Sequence, residues 1–342
     1  MVESGKFLRD VCGALPLCSA LAPQGAVFLA EAAAFQADLE ASLALSVTFD
    51  PATGRPLFIP PIAAPAFHPF ASMIESTLAE YSNFRYFAEL LGADFLSPAM
   101  SIALQEFRET HQGTVSGITR WSDHLDDMPS SYYAAASLRN DRLPFFFLLQ
   151  YGHMANYMGR GTGTATEQLP INADQNGLSR DYLWGYLEGG IDQCIPSIML
   201  PAIATRWQLV LERYDEDVLH LCTGAPRRWY QPGQGGFSIA RAATRFGTVG
   251  VAVQSAAAAA GSGEDATATV TYAPWPTMLG VNATPAFALR LRGSAPGLAL
   301  QPASVAVSGG AVLQGVDVAG ERVLLALKGA GAATFTVTAQ LR

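Results

Sequence analysis

Asp123, Asp126, Asp127 and Glu167 are the residues of this sequence best suited to chemistry, because they place carboxyl groups in two short stretches crowded with other polar and aromatic side chains. The first stretch reads Gly117-Ile118-Thr119-Arg120-Trp121-Ser122-Asp123-His124-Leu125-Asp126-Asp127-Met128-Pro129. The second reads Gly159-Arg160-Gly161-Thr162-Gly163-Thr164-Ala165-Thr166-Glu167-Gln168. Only 15% of the chain is charged, so this concentration asks for a cause. Two carboxyl groups, one protonated and one ionised, are what cleavage of a glycosidic bond requires, with aromatic faces and hydrogen-bonding groups around the sugar.

On that reading Glu167 is one essential carboxylate, and Asp123 or Asp126 is its partner. Asp127, Glu188 and Asp192 are further carboxyl candidates. Trp121, Tyr157 and Trp184 can stack on a sugar, while Arg120, His124, His153 and Arg160 can bind hydroxyls or a carboxylate and tune an acid. Simpler roles compete. Asp126-Asp127 before Met128-Pro129 suits a capped turn, and Glu167 suits the far end of a capping box opened by Thr164. His153 lies in an apolar helix and reads as a core residue. The glycines at 159, 161 and 163 favour close backbone approach to a ligand, but no lysine and Ser/Thr follow them as in a phosphate loop.

The elements that must position these groups read as helices first. They run from about Gly5 to Leu21, Ala26 to Leu45, Phe70 to Leu91, Pro98 to Thr110, Tyr132 to Asp141, Pro144 to Met158 and Arg180 to Thr205, the last with Pro196 and Pro201 inside. Links near Pro23, Gly92 and Leu143 are short; those at Ser46–Pro69, His111–Ser131 and Gly159–Ser179 are long. Antiparallel hairpins with that alternation put all the long loops on one face. The expected fold is therefore α plus β in separate domains: (α/α) toroid hairpins over residues 1–205, then an antiparallel β-sandwich over 206–342. Strand candidates are Trp207–Glu212, Asp217–Cys222, Thr248–Val253, Ala266–Tyr272, Phe287–Leu291, Ala303–Val307, Val323–Leu327 and Thr334–Thr338.

Composition narrows the classes. Half of the 342 residues are hydrophobic, enough for a substantial core. A net charge of −8 with no basic run argues against nucleic acid and anionic membranes as partners. No apolar run is long enough to span a bilayer, and the first residues do not read as a secretion signal, so the chain reads as soluble and its compartment stays open. Cys12, Cys18, Cys194 and Cys222 lack zinc-ligand spacing. Cys194 and Cys222 read as buried thiols, and a disulfide stays open. No cofactor or metal is expected.

A resemblance enters at Ile203-Ala204-Thr205-Arg206-Trp207-Gln208-Leu209-Val210-Leu211-Glu212, Val218-Leu219-His220-Leu221, Ala225-Pro226-Arg227-Arg228-Trp229 and Gly235-Gly236-Phe237-Ser238-Ile239-Ala240-Arg241. This junction resembles that of the six-hairpin glycosidases of the bacterial α-L-fucosidase and α-L-rhamnosidase type, over about Tyr182 to Val251. There, a last barrel helix enters a strand pair, a leucine-rich strand ends in a Pro-x-x-Trp-like turn, and a Gly-rich strand follows. The resemblance implies an (α/α)6 barrel with a trailing β-domain, carboxylates on its mouth loops, and cofactor-free, inverting hydrolysis of a plant or microbial glycan. Members of the family are often secreted or periplasmic. Only about half of the barrel's helices are in this sequence, so a homo-oligomer or a separate chain is expected to complete it. Two other readings stand beside it. One is a toroid-type polysaccharide lyase using Tyr157, His124 and Arg160; the other is a non-catalytic carbohydrate-binding or scaffold remnant.

Overall fold

The computed structural model describes residues 2–13, 15–49, 51–58, 87–92, 96–110, 113–121, 124–156, 158, 163, 165, 167–172, 177–178, 194–213, 216–258, 263–275 and 284–342. They fall into two compact units. One combines Met1–Phe35 with Arg206–Arg342, and the other is Gln36–Thr205.

The chain opens with α1 (Val2–Lys6), which runs into a π-helical turn at Phe7–Cys12. A Cys12–Cys18 disulfide closes the reversal before α2 (Ala22–Ser46). A two-stranded ribbon follows, β1 (Thr48–Phe49) with β2 (Pro56–Phe58). The helices α3 (Phe87–Gly92) and α4 (Pro98–Thr110) come next, with Ser97 Oγ accepting the N–H of Met100 as a cap for α4. Of the helix expected over Phe70–Leu91, only the end from Phe87 lies among the described residues.

The expected toroid of helical hairpins does not form. Where the two polar stretches read as loops, the chain makes a five-stranded antiparallel sheet in the order β3 (Thr114–Val115), β4 (Ile118–Trp121), β5 (His124–Asp126), β6 (Gln168–Asn172), β7 (Gly177–Leu178). Local chemistry explains the correction. Ser116 and Gly117 both take positive φ, 51° and 80°, between the paired residues Val115 and Ile118. That is the two-residue turn whose twist matches antiparallel strands. Ile118 and Leu125 are then fully buried. The polar residues between them disguise a short strand pair as a loop.

Three helices belong with this sheet: α5 (Asp127–Arg139), α6 (Leu143–Asn156) and the start of α7 (Ile195–Leu209). A side chain added at Gly117 would lie 2.6 Å from the backbone nitrogen of Leu149, and one at Gly152 would strike the carbonyl of Ser116. Glycine at both places lets α6 lie directly on the β3–β4 turn.

From Val210 onward strands dominate. One sheet runs β10 (Phe237–Thr244), β11 (Gly247–Ala257), β12 (Glu264–Pro274), β17 (Ala333–Leu341), β14 (Ala306–Gly309), all antiparallel. The other runs β15 (Ala311–Asp317), β16 (Arg322–Leu327), β13 (Ala286–Arg290), β9 (Val218–Leu221), β8 (Val210–Glu212). Its β9–β13 pair is parallel, a second departure from the expected antiparallel sandwich. Alternate residues of β12 and β17 point inward, and residues from both sheets share one hydrophobic cluster. At its centre Phe287 stacks edge-on with Tyr272 and with Phe335, the ring centroids 5.9 and 5.4 Å away.

Candidate functional site

Pairing of β5 with β6 brings the two polar stretches together. Asp126 stands opposite Gln168, and the Asp127 N–H continues the ladder to the Glu167 carbonyl at 3.2 Å. Glu167 is exposed, whereas Asp126 and Asp127 are buried, with 0% and 3% of their surface accessible. The sequence reading sets the two stretches facing each other across a mouth of helical loops. They are instead neighbours on adjacent strands inside one sheet.

Each aspartate is held by identifiable groups. The Asp126 carbonyl accepts the hydroxyls of Thr119 at 3.0 Å and Ser130 at 2.8 Å, which clamps the start of α5 to β4. Asp127 lies in the first turn of α5, where a negative charge suits the helix dipole. Its Oδ2 accepts the Cys194 thiol at 3.3 Å, and the Cys194 N–H donates to the Ala165 carbonyl at 2.9 Å. Burial pushes the Cys194 thiol up to about 11, helped by its bond to Asp127 and by the charges of Asp127 and Glu167. Cys194 is thus held as a thiol that donates to Asp127. It is half-buried rather than fully buried as expected, while Cys222 is a fully buried thiol.

Arg120 is nearly buried in β4. Its carbonyl accepts a guanidinium N–H of Arg108 at 2.9 Å, and the same Arg108 nitrogen reaches the Gly113 carbonyl at 3.0 Å. His153 is buried in α6 and its Nε2 lies 2.8 Å from the Ser197 carbonyl. The reason is in α7: residue 201 is proline, so Ser197 has no helical N–H to accept, and the imidazole supplies the missing donor. Burial lowers the His153 pKa, which keeps the ring neutral with its proton on Nε2.

Trp121 and His124 occupy opposed positions of β4 and β5. Asp123, Tyr157, Arg160, Trp184, Glu188 and Asp192 lie outside the described residues. One group escapes the sequence reading altogether. The Tyr133 hydroxyl donates to the Gln105 carbonyl at 2.7 Å and approaches Glu109 Oε1 at 3.3 Å. Arg142 pairs with Glu109 through both terminal nitrogens, one at 2.6 Å. The Gln105 amide donates to Ser137 Oγ at 2.8 Å. Burial first, then the charge of Glu109, raises the Tyr133 pKa, so its hydroxyl stays a donor. The signal for it in the sequence is the spacing of Ser101, Gln105 and Arg108 along one face of α4, all buried.

Among the described residues no three His, Cys, Asp or Glu side chains gather as a metal site, and no helix is long and apolar enough to cross a membrane. No protein-family model matches this chain, and no curated protein matches it either. What the geometry offers is an exposed acidic residue backbone-paired to a buried pair, with hydroxyls holding the Asp126 carbonyl and a thiol on the Asp127 carboxylate.

Proposed function

We propose that the chain binds and hydrolyses a plant or microbial glycan, with Glu167 and its aspartate neighbours as the reacting groups. The observation that carries this is the Asp127–Glu167 backbone bond at the end of the β5–β6 pair. It joins acidic residues that lie 40 positions apart in the sequence. In the reaction, one carboxylic acid gives its proton to the glycosidic oxygen as that C–O bond breaks. The other carboxylate takes a proton from the water that attacks the anomeric carbon. Glu167, as the exposed member, meets the sugar; Asp123 and Asp126 remain the candidates for its partner, with Asp127 alongside.

The six-hairpin glycosidase resemblance supports the same reading without its barrel. Helix α7 runs straight into β8, β8 pairs with β9, Pro226 opens a helical turn at Arg227–Tyr230 that carries Trp229, and β10 follows. This is the order of elements by which the junction is likened to that family.

The test is release of reducing ends from a glycan panel by the wild type and by Glu167→Gln, with melting temperatures alongside. Loss of a general acid or base lowers turnover by about 10²–10⁴-fold, and the exposed side chain leaves the melting temperature unchanged. A stable variant with normal turnover overturns the assignment. Product absorbing in the ultraviolet identifies a lyase, and saturable glycan binding without turnover identifies a binding module.

A further inference from the structure

We infer that the β-rich unit carries a second site, for a small oxyanion or the acidic group of a larger ligand, where three arginines converge on Glu321. Glu321 Oε1 accepts Arg227 at 2.7 Å, Oε2 accepts Arg292 Nε at 2.8 Å, and Arg290 Nε stands 3.7 Å from the same oxygen. Guanidinium groups do not lose their charge in proteins. Arg227 and Arg292 both bond this one carboxylate, which leaves a positive charge in excess among the described residues there, in a chain whose net charge is −8.

The cluster is built rather than incidental. Arg227 is fixed from its other terminal nitrogen by the Gly293 carbonyl at 2.9 Å, and Arg290 donates to the Thr223 carbonyl at 3.0 Å. Tyr230 pins the Arg290 backbone, its hydroxyl donating to that carbonyl at 3.0 Å. Glu321 itself takes a left-handed φ of 56°, and its backbone carbonyl accepts the Leu291 N–H at 2.9 Å. The turn before β16 sets that conformation, with the Glu321 N–H donating to the Val318 carbonyl at 3.2 Å. The carboxylate of Glu264 is engaged elsewhere, by the Ser294 N–H at 2.9 Å and by its hydroxyl.

Tying the Arg227–Tyr230 turn to the turn before β16 needs one ion pair, Arg227 with Glu321. Arg292 adds a like charge that this fastening does not require. Burial, then the neighbouring charge of Arg290, lowers the Arg292 pKa, as expected for a cation in a positive field. Side-chain exposure rises from 3% at Arg290 to 12% at Arg292 and 24% at Arg227, so the excess charge opens outward along that line. A sulfate, a phosphate or a carboxylate fits it through charge-assisted bonds to the planar guanidinium forks.

The experiment uses the full chain, in thermal shift and calorimetric titrations with sodium sulfate, sodium phosphate and sodium glucuronate. Sodium chloride at matched ionic strength is the reference. Saturable stabilisation by at least one oxyanion, absent with chloride, is expected. Arg292→Gln should weaken it roughly ten-fold or more, while Arg241→Gln, an exposed arginine of β10, should leave it unchanged. If Arg292→Gln folds poorly, Arg227→Lys keeps the charge, loses the fork, and should weaken binding severalfold. Preference for glucuronate identifies a carboxylate ligand; preference for sulfate or phosphate identifies an ester or free ion. Stabilisation that is no greater than with chloride, or that survives Arg292→Gln and Arg227→Lys intact, overturns the site. Glu167→Gln should retain oxyanion binding, so this inference and the glycan reading fail separately.

Discussion

The region after Arg206 and the region around α4, α5 and α6 bury their interiors in opposite ways. In the first, alternate strand residues supply Val, Ala, Leu and Phe to one apolar cluster, and the arginine–carboxylate pairs stand at strand ends and turns. In the second, Gln105, Arg108, Tyr133, Ser137 and His153 are buried themselves and satisfy one another or a backbone carbonyl. An apolar core tolerates many alternative residues of similar volume. A polar interior works only while each donor keeps its acceptor.

Phe335→Ala should have the largest effect. Its ring is buried against Phe287, and truncation should cost about 3–5 kcal/mol. Hydrogen exchange localised to β12 and β17 would report it. Arg142→Met comes next. It leaves Glu109 without its bidentate partner, and with side chains 19% and 14% exposed the cost should be roughly 2–3 kcal/mol, below that of a fully buried pair. The comparison is sharpened by the double variant Arg142→Met, Glu109→Met, which should recover most of that loss in chemical denaturation. A double variant as unstable as the sum of its parts would mean that the pair specifies the packing of α4 against the turn between α5 and α6, not only its own neutralisation.

That contrast also decides what is legible in the sequence. Alternation of Val and Thr along Ala266–Tyr272 and Thr334–Thr338 is a direct image of one buried and one open face, and both stretches lie within observed strands. Leucines in Val218-Leu219-His220-Leu221 behave likewise. The β3–β6 strands carry no such image, because Thr119, Arg120 and Asp126 are buried polar residues paired through backbone and hydroxyl groups. Polarity there reads as loop. Only the Ser116-Gly117 pair announces the turn, and the helical pattern on either side drowns it. Loop-length alternation then turns one misread sheet into a toroid. Of the site, the proximity of the acidic stretches is legible, but not the burial of Asp126 and Asp127, since burial depends on α5 beginning at Asp127 rather than near Tyr132.

A smaller effect probes the His153–Ser197 bond between α6 and α7. His153→Ala should cost about 1–3 kcal/mol, because the Ser197 carbonyl is left without a donor in a buried setting. Pro201→Ala restores a helical N–H for that carbonyl and removes the ring from the helix interior. In the Pro201→Ala background, His153→Ala should therefore be cheaper by about 1 kcal/mol, a coupling that a double-mutant cycle resolves. Strict additivity would show that the imidazole contributes by filling space alone.

The smallest expected effect is the dependence of stability on acid through the same residue. Burial lowers the His153 pKa below its ordinary 6.5, only partly offset by the bond to Ser197. The unfolded chain then binds this proton more readily than the folded one, so stability rises with pH between the folded and unfolded values. The contribution is complete above about pH 6.5 and is lost as pH falls through the folded pKa. Glu216 acts in a lower window. Its hydrogen bond from His220, and then their charge attraction, lower its pKa from 4.5, so its contribution is present above that value and lost as pH falls further. Melting temperature against pH should thus show two descending steps on acidification. His153→Gln, whose side-chain amide can still donate to Ser197 but does not titrate, should erase the upper step and leave the lower one. A profile in which the upper step survives that substitution would assign it to another group and remove His153 from the set of residues that make this interior pH-sensitive.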